Sequence, residues 1–227
     1  MDVKRILAAC LGAVLWLANA SLGSTAELTL KVTDKEPPKE LDDSIRATLE
    51  NKAVQLLDGD QPAWEFWFCN EIPLQSKPES AAKALDTLKQ TTLLGAVSVP
   101  KARRDYRDDE IAANIYTMRF ALQPQDGNHL GTAEYPYFAV LVPAKLDTKP
   151  DGITEYKRLV KTSAHETSSD HPVIVSLRPA SSDAGEFPSL QQPAPDHKSV
   201  RVKIPAKAGG ATTSLVFEIV YQGMGKK

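Results

Sequence analysis

The chain has 227 residues, a formal net charge of −2 and two cysteines, Cys10 and Cys69. Basic and acidic residues are scattered along it, which argues against a nucleic-acid or anionic-membrane partner, because each of those needs a concentrated basic face. About 200 residues form one domain of ordinary size, and with Cys69 alone left after an export signal we expect no intramolecular disulfide.

The first 26 residues have the pattern of an export signal. Lys4 and Arg5 are followed by an uncharged apolar run over residues 6–18. That run is short of the roughly 20 apolar residues that a membrane-spanning helix needs. A positively charged N-terminal region, a short apolar stretch and small residues after that stretch are typical of a signal peptide. We therefore predict that residues 1–26 direct export and are removed.

Cleavage is predicted after Ala20 or Ala26, since small residues precede both positions. The mature chain, residues 27–227, is then expected to be a single domain without a membrane span, in the periplasm or outside the cell. Residues 7–10 also spell a bacterial lipobox. Because the apolar run continues past Cys10, a lipid anchor on that residue is the less favoured interpretation.

The mature chain reads as a succession of short strands separated by turn residues. Alternating apolar and polar positions mark the strands, and proline, glycine and aspartate mark the turns. Helical spacing is found over residues 78–89 and 153–163, and residues 45–57 can be scored as two strands or as one helix. The predicted strands are 28–32, 45–49, 53–57, 63–69, 92–99, 115–122, 137–142, 173–177, 199–204 and 214–221.

This pattern predicts a mainly β fold, an antiparallel β-sandwich or jelly-roll-like domain with two short helical insertions. A parallel α/β fold is the weaker alternative, because only two of the connections look helical. The charged residues 101–110 are predicted to form a loop. The proline-rich residues 179–198 are predicted to be a long surface excursion between strands.

An aromatic strand over residues 63–69 is the clearest core element. Trp64, Phe66 and Phe68 alternate with Glu65, Trp67 and Cys69, so that both faces of the strand are expected to be mostly buried. It is predicted to pair with residues 53–57. Cys69 is then a small core residue, because a nucleophile or a metal thiolate would need a basic neighbour to lower its pKa.

Residues 114–144 form the stretch around which the rest of the chain is organised. The first of its two strands, 115–122, has one face that is more apolar than the other. The second strand, 137–142, is apolar on both faces, as expected of a strand in the middle of a packed sheet. Both are bounded by prolines, which strand interiors reject. We predict that the two strands lie at the centre of the fold.

The connection between these two strands, residues 123–136, is the predicted ligand site. It is longer than the usual connection of about 4–6 residues, and binding residues tend to lie on loops that a rigid scaffold holds. We predict that Asp126, Asn128 and His129 contact a ligand, with Tyr135 as a stacking surface.

A metal site is the alternative interpretation of the same loop. His129, Asp126 and Asn128 offer imidazole and oxygen donors, and His171 is a second candidate ligand for copper or zinc. No His-x-His or His-Glu-x-x-His spacing is present. Asp-Gly-Asn is also ordinary turn chemistry, which makes metal binding the less favoured alternative.

The acidic segment 105–110 could in principle be a calcium loop or a glycosidase carboxylate pair. The spacing of a calcium EF-hand is absent, and adjacent positions do not predict the separation that a two-carboxylate mechanism needs. Arg103, Arg104 and Arg107 lie among these acids. We therefore predict a solvated, self-paired loop.

Several segments resemble a family of exported proteins of planctomycetes and related environmental bacteria. That family has no assigned activity, so the resemblance implies export and single-domain organisation and carries over no functional residues. It covers most of the mature chain, and its most specific part is Gln-Pro-Gln-Asp-Gly-Asn-His. The matching segments are residues 65–73, 93–97, 105–110, 116–120, 123–132 and 170–174.

No motif in the sequence indicates a particular reaction. The Gly-x-Ser-x-Gly motif of serine nucleophiles and the glycine-rich loops that bind phosphate are both missing. The predicted function is therefore that of an exported, non-catalytic β-domain with a binding or structural role. Its partner would be a glycan, an envelope protein or a small ligand. The alternative is a histidine-based copper or zinc protein, either a carrier or an enzyme.

Overall fold

The computed structural model describes residues 27–105, 109–124, 133–166 and 171–223, so the predicted signal peptide lies outside it. Within those residues the chain is mainly β, as predicted. No helix in the described ranges is both long and apolar enough to cross a membrane. The elements are β1 (Thr29–Asp34), α1 (Asp43–Arg46), β2 (Lys52–Asp58), β3 (Gln61–Phe68), β4 (Ile72–Leu74), β5 (Leu93–Val99), β6 (Arg103–Arg104), β7 (Glu110–Ile111), β8 (Asn114–Leu122), β9 (Tyr137–Pro143), α2 (Tyr156–Ser163), β10 (Val173–Pro179), β11 (Ser189–Ala194), β12 (His197–Ala208) and β13 (Ala211–Gln222).

One large sheet organises these strands, in the order β1-β2-β3-β5-β8-β9-β10-β13-β12-β11. All pairings along this path are antiparallel. β4 follows β3 closely in the chain, yet it pairs in parallel with β12 near the other end of the sheet. Because a few residues span only a short distance, the sheet must curl so that β3 and β12 approach each other. A curled, antiparallel-rich sheet is therefore the observed form, and the predicted sandwich or jelly-roll is not confirmed.

The main core lies inside the curl and includes both faces of β3. Trp64, Phe66 and Phe68 stack in a row with ring centroids 5.9 and 6.1 Å apart. Trp67 projects from the other face and donates its indole N–H to the carbonyl of Lys35 at 2.9 Å. The predictions of a two-sided aromatic strand and of its pairing with β2 are confirmed. Cys69 is 4% exposed, as expected of a core residue.

A second, smaller core lies on the outer face of β9. Phe138, Val140 and Val142 point outward from the sheet and pack against Ile153 and Leu159. The intervening residues of β9 belong to the main core. The strand is thus buried on both sides, as its sequence predicts, and α2 is the element that covers its outer side.

The helix predicted over residues 78–89 is wrong. Two short 3-10 turns, Ala81–Lys83 and Leu85–Thr87, occupy that segment. Leu88 is already extended, with ψ 141°, and the carbonyl of Thr87 accepts the Gln75 N–H at 2.8 Å. A segment of this length is marginal as an isolated helix. Burial of Leu85 and Leu88 and this backbone hydrogen bond therefore decide its conformation.

The strand predicted over residues 45–49 is also wrong, because α1 begins just before it. Asp42 caps this helix, and its side chain accepts the Ser44 N–H at 2.9 Å. An aspartate followed by polar residues is a normal helix start, which outweighs the alternation of the next few residues. Only an isolated bridge between Leu49 and Cys69 remains of that strand.

The predicted surface excursion over residues 179–198 contains a strand that was not predicted. β11 lies within it and pairs with β12 at the edge of the sheet. Pro193 within it and Pro195 just after it argued against a strand in the sequence, although proline is tolerated on an edge strand. The preceding residues, 180–188, are irregular and connect β10 to β11 past the two strands that lie between them in the sheet.

Candidate functional site

An open groove of about 630 Å³ lies beside α2. Its volume is within the range of roughly 300–1,000 Å³ that small-molecule sites occupy. The walls come from α2 and its 3-10 extension, from the residue pair before β10 and from Pro124, two residues after β8. The lining residues are Pro124, Tyr156, Lys157, Val160, Lys161, Ala164, His165, His171 and Pro172.

The lining combines cationic and apolar groups. Lys157, Lys161 and His165 follow one another at four-residue intervals, so they lie along one side of α2 and its 3-10 extension. All three are exposed, and Tyr156 and Val160 beside them are half-buried. None of the described lining residues is acidic. The groove therefore offers positive charge next to apolar surface.

Ser163 anchors the end of α2 to the sheet. Its hydroxyl donates to the carbonyl of Leu141 at 2.6 Å and accepts the N–H of Val173 at 3.0 Å. Ser163 is 1% exposed, and Leu159, one turn earlier in the helix, is completely buried. A single side chain thus bridges α2, β9 and β10, which places this groove wall on a rigid support.

A buried ion pair holds the connection that leads into α2. Arg119 of β8 and Asp147 contact each other at two points, with Nε–Oδ2 and Nη2–Oδ1 distances of 2.7 and 2.8 Å. Asp147 Oδ2 also accepts the Thr117 hydroxyl at 2.5 Å. Both members of the pair are 1% exposed. The two-point geometry fixes their relative orientation.

All five N–H groups of Arg119 have partners. Besides the two bonds to Asp147, Nη1 donates to the carbonyls of Thr91 and Pro150 at 2.9 and 3.0 Å, and Nη2 donates to that of Lys149 at 2.8 Å. A buried charge is tolerated only when it is paired and hydrogen-bonded. Arg119 is therefore a positioning residue that fixes residues 147–150 on the outer face of the sheet, before α2 begins.

Thr91 is held in an unusual backbone conformation beside this ion pair. Its φ is +75°, in the left-handed region that β-branched residues rarely adopt. Its N–H donates to the carbonyl of Phe120 at 2.7 Å, and its own carbonyl accepts Arg119 Nη1. Such a conformation costs about 1–3 kcal/mol, and these two hydrogen bonds offset that cost.

Of the two predicted site residues that the structure describes, Tyr135 and His171, only His171 lines the groove. His171 is there, together with His165, whereas Asp126, Asn128 and His129 lie outside the described residues. Pro124, the last described residue before these three, forms part of the groove wall. The loop predicted to carry the site thus begins at the groove, and its central residues remain a prediction.

Tyr135 lies at a different place from His171. Tyr135 precedes β9, and Tyr137 at the start of β9 pairs with Leu177 near the end of β10. His171 precedes β10, so the two residues are at opposite ends of an antiparallel pair, at least about 13 Å apart. The ring of Tyr135 lies under Arg178, with 5.0 Å between the guanidinium carbon and the ring centroid. The structure does not bring the two predicted residues together.

Metal binding stays an untested prediction. Among the described residues no three His, Cys, Asp or Glu side chains are grouped so as to hold a metal ion. His129, the central ligand of that hypothesis, is outside those residues. His171 could contribute one imidazole, with His165 on the same groove.

The acidic segment 105–110 is only partly described, and its first residue differs from the prediction of a solvated loop. Asp105 is 5% exposed, and its carboxylate accepts the Asp109 N–H at 2.9 Å. Its own N–H donates to the carbonyl of Asp109 at 2.8 Å. These bonds close a turn between β6 and β7, so the predicted solvation of Asp105 is wrong. The predicted pairing of the arginines with the acids of this segment stays a prediction.

The sequence contains a signal for the groove that the predictions did not use. The apolar stripe of residues 153–163 predicts the helix but not the charge beside that stripe. Lys157 and Lys161 are four residues apart, and His165 continues the same interval. Residues at this interval share one helix face. The cationic side of α2 could therefore have been predicted from spacing alone.

Comparison with models of protein families, with curated proteins and with solved structures found no match to this chain. The resemblance to exported planctomycete proteins is not tested by these comparisons. The function is therefore argued from the geometry of the groove.

Proposed function

We propose that this chain is an exported, non-catalytic β-domain that binds an acidic oligosaccharide in the groove beside α2. The observation that carries the proposal is the row of Lys157, Lys161 and His165 next to the Tyr156 ring in a groove of about 630 Å³. Ammonium groups bind carboxylate or sulfate substituents, and an aromatic ring packs against the apolar face of a sugar.

The length of the groove supports an extended ligand. Gln123 donates its N–H to the carbonyl of Pro136 at 2.7 Å, which places Pro124 beside the start of β9. His171 lies beside the end of that strand, since β10 runs antiparallel to it. The groove thus extends roughly 13 Å along β9, which is enough for more than one sugar unit.

The proposal is for binding rather than catalysis because of the groups in the groove wall. The described lining residues supply ammonium, imidazole and apolar surfaces. Hydrolysis of a glycosidic bond normally uses a pair of carboxylates flanking the bond, and the described wall contributes none. Rigid support of α2 by Ser163 also suits a preformed binding surface.

Calorimetric titration of the mature protein with oligogalacturonate tests this proposal, with a neutral malto-oligosaccharide of the same length as the control ligand. We expect the acidic ligand alone to bind. Replacing both Lys157 and Lys161 with Gln should weaken binding at least tenfold, because two charge-assisted contacts are lost. The matched control is Arg158→Gln, which removes an exposed cation from α2 outside the groove.

Binding of both sugars with equal affinity would contradict the proposed role of the two lysines. Unchanged affinity in the double variant, with an unchanged melting temperature, would place the acidic ligand elsewhere. A melting temperature near that of the wild type is expected for the double lysine variant and for Arg158→Gln, since exposed surface substitutions usually change stability by less than about 0.5 kcal/mol.

Copper or zinc binding is the second candidate, and the presence of His165 and His171 on one groove is the observation that favours it. Titration with Zn²⁺ or Cu²⁺ tests it directly. If these imidazoles are ligands, His171→Ala should abolish stoichiometric binding. His197→Ala is the control, because His197 lies on β12 beside Asp196. Equal loss in both variants would contradict a site in the groove.

A further inference from the structure

Two cations on the outer face of β12 share one aromatic ring. The guanidinium carbon of Arg201 lies 5.0 Å from the centroid of the Phe187 ring, and Nζ of Lys203 lies 5.4 Å from it. Arg201 is half-buried, and Lys203 is exposed. Each cation is attracted to the ring, but the two repel each other.

Arg201 forms no hydrogen bond or ion pair with any residue that the structure describes. Its Nε is buried from solvent and has no partner among those residues. Buried N–H groups are nearly always satisfied by protein, water or a ligand. Nε of Arg46 and of Arg178 also lacks a hydrogen bond among the described residues, but both of those side chains form ion pairs, and Arg201 does not. The contrast with Arg119, whose five N–H groups are all bonded within the protein, shows what a purely structural arginine looks like in this fold.

The nearest acidic side chain in the sheet is already engaged. Glu218 of β13 is opposite Arg201 in the strand register. Its Oε2 accepts the Ser199 hydroxyl at 2.7 Å and lies 3.9 Å from Nε of Arg178 on the other flanking strand. Arg178 in turn pairs with Glu134. The positive charge of Arg201 and Lys203 is therefore not neutralised by this network.

The connection between β10 and β11 passes close over Arg201. A Cβ atom at Gly185 would lie 3.1 Å from Nη2 of Arg201, and Gly185 has φ +102°. Only glycine adopts that φ without strain. Two residues later the connection supplies the Phe187 ring. The backbone and one side chain of the same segment thus lie close to the guanidinium, which stays partly exposed.

We propose that Arg201 and Lys203 bind an oxyanion, a carboxylate, sulfate or phosphate group, at the outer face of β12. The Phe187 ring lies against the guanidinium. The N–H groups of the two Nη atoms, rather than the buried Nε, are the donors for the bound oxygens, as in two-point arginine recognition. Lys203 adds a second charge. The acidic groups nearby are Glu218, which Arg178 and Ser199 occupy, and Glu186, which is exposed on the connecting segment.

This site is separate from the α2 groove and does not depend on the proposed function of that groove. β12 is two strands away from β10 in the sheet, with β13 between them. None of the lining residues that the structure describes lies on β12 or on the segment 180–188. Variants in one site are therefore expected to leave the other intact.

Side-chain NMR of the arginine Nε–H groups tests the proposal. Sodium sulfate, sodium phosphate and galacturonate are titrated separately into the mature protein at constant ionic strength, with chloride as the reference anion. We expect a saturable shift of the Arg201 Nε–H signal with at least one of the three. The signal of Arg158, which is exposed on α2, should not shift with saturation.

The three titrations identify the source of the oxyanion. A saturable shift with galacturonate alone indicates that the natural oxyanion is the carboxylate of a sugar acid. A saturable shift with sulfate alone indicates a sulfate ester, and one with phosphate alone indicates a phosphate group. Arg201→Lys, which lacks the Arg201 signal, is compared with the wild type by calorimetric titration of the same anion. It should bind at least tenfold more weakly, because a lysine cannot make the two-point contact. Lys207→Gln, further along the same strand and exposed, is the control for Lys203→Gln.

The proposal is overturned if the Arg201 signal does not respond to any of the three anions, or responds no differently from that of Arg158. It is also overturned if Arg201→Lys binds the anion as tightly as the wild type. Correct folding of each variant is checked by the signals of β13, which pairs with β12 along its whole length.

Discussion

Arg119 and Asp147 form a two-point ion pair, 1% exposed on each side, between the central strand and the connection that enters α2. The pair joins the scaffold to the wall of the candidate groove. The same arginine also holds the carbonyls of Lys149 and Pro150. The position of α2 thus depends on residues that do not themselves line the groove.

Removing one partner of this pair should be strongly destabilising. Asp147→Asn leaves the buried guanidinium of Arg119 without a counter-charge, which typically costs about 3–5 kcal/mol. Urea unfolding measures the loss. Asp151→Asn is the matched control, because Asp151 is exposed on the same connection, and it should cost less than about 0.5 kcal/mol. Similar midpoints for the two variants would contradict the structural role of the pair.

Gly95 of β5 should not tolerate a side chain. A Cβ atom there would lie 2.2 Å from the carbonyl oxygen of Trp67, a backbone atom of the paired strand. Gly95→Ala must therefore distort the pairing of β3 with β5, at a cost of about 3 kcal/mol or more. Gly59→Ala is the control, since φ is +60° there and no atom lies within 4 Å of the added carbon. It should cost only about 1 kcal/mol. Equal losses of unfolding free energy in the two variants, measured by urea unfolding, would show that a side chain at Gly95 does not meet the Trp67 carbonyl.

Cys69 should not react with thiol reagents in the native state. Burial raises the pKa of its thiol to about 12, and the thiolate is the reactive form. Modification should occur only on unfolding, as followed by mass spectrometry with increasing urea. Cys69→Ala should cost on the order of 1–2 kcal/mol. Rapid labelling of the folded protein would show that β3 is open to solvent at this end.

The same thiol makes stability depend on alkaline pH. The unfolded thiol ionises near pH 9, whereas the folded thiol keeps its proton until about pH 12. The unfolded state therefore binds fewer protons between those values, so the free energy of unfolding should fall as the pH rises from about 9 to 12. Urea unfolding across this range should show a smaller fall in the free energy of unfolding for Cys69→Ala than for the wild type. The same dependence on pH in both proteins would show that the Cys69 thiol is not the group responsible.

Tyr137 should ionise at a higher pH than an ordinary tyrosine. Burial, followed by the hydrogen bond that its hydroxyl donates to Asp86, raises its pKa to about 12. Ultraviolet absorbance of tyrosinate, compared between the wild type and Tyr137→Phe, isolates this group. The difference should titrate near pH 12. A difference that titrates near pH 10 would mean that Asp86 does not hold the hydroxyl in solution.

Alternation and turn chemistry predicted most of the strands, because their two-residue period directly reflects burial on one face or both. The pairing of β2 with β3 followed from the turn at Gly59, which has φ +60°. The curl of the sheet could not be predicted in this way. It depends on β4 pairing with β12, a contact between residues more than a hundred positions apart.

The candidate site was predictable only in part. His171 and the start of the loop after β8 were identified from the sequence, and both are at the groove. The ion pair of Arg119 was not identified, because an arginine at an alternating strand position is normally exposed. Its burial depends on the connection after β9 folding back over the outer face, which is a tertiary effect. Arg201 was missed for the same reason, since a separate segment lies close to it.

Hydrogen exchange of the mature protein with and without saturating oligogalacturonate tests the central claim most directly. If the groove beside α2 is the binding site, the ligand should slow exchange in peptides that cover residues 156–165 and 171–172. Peptides from the edge strand β1, on the far side of the sheet, should not change. Protection confined to other segments, or none despite calorimetric binding, would contradict the assignment of the groove.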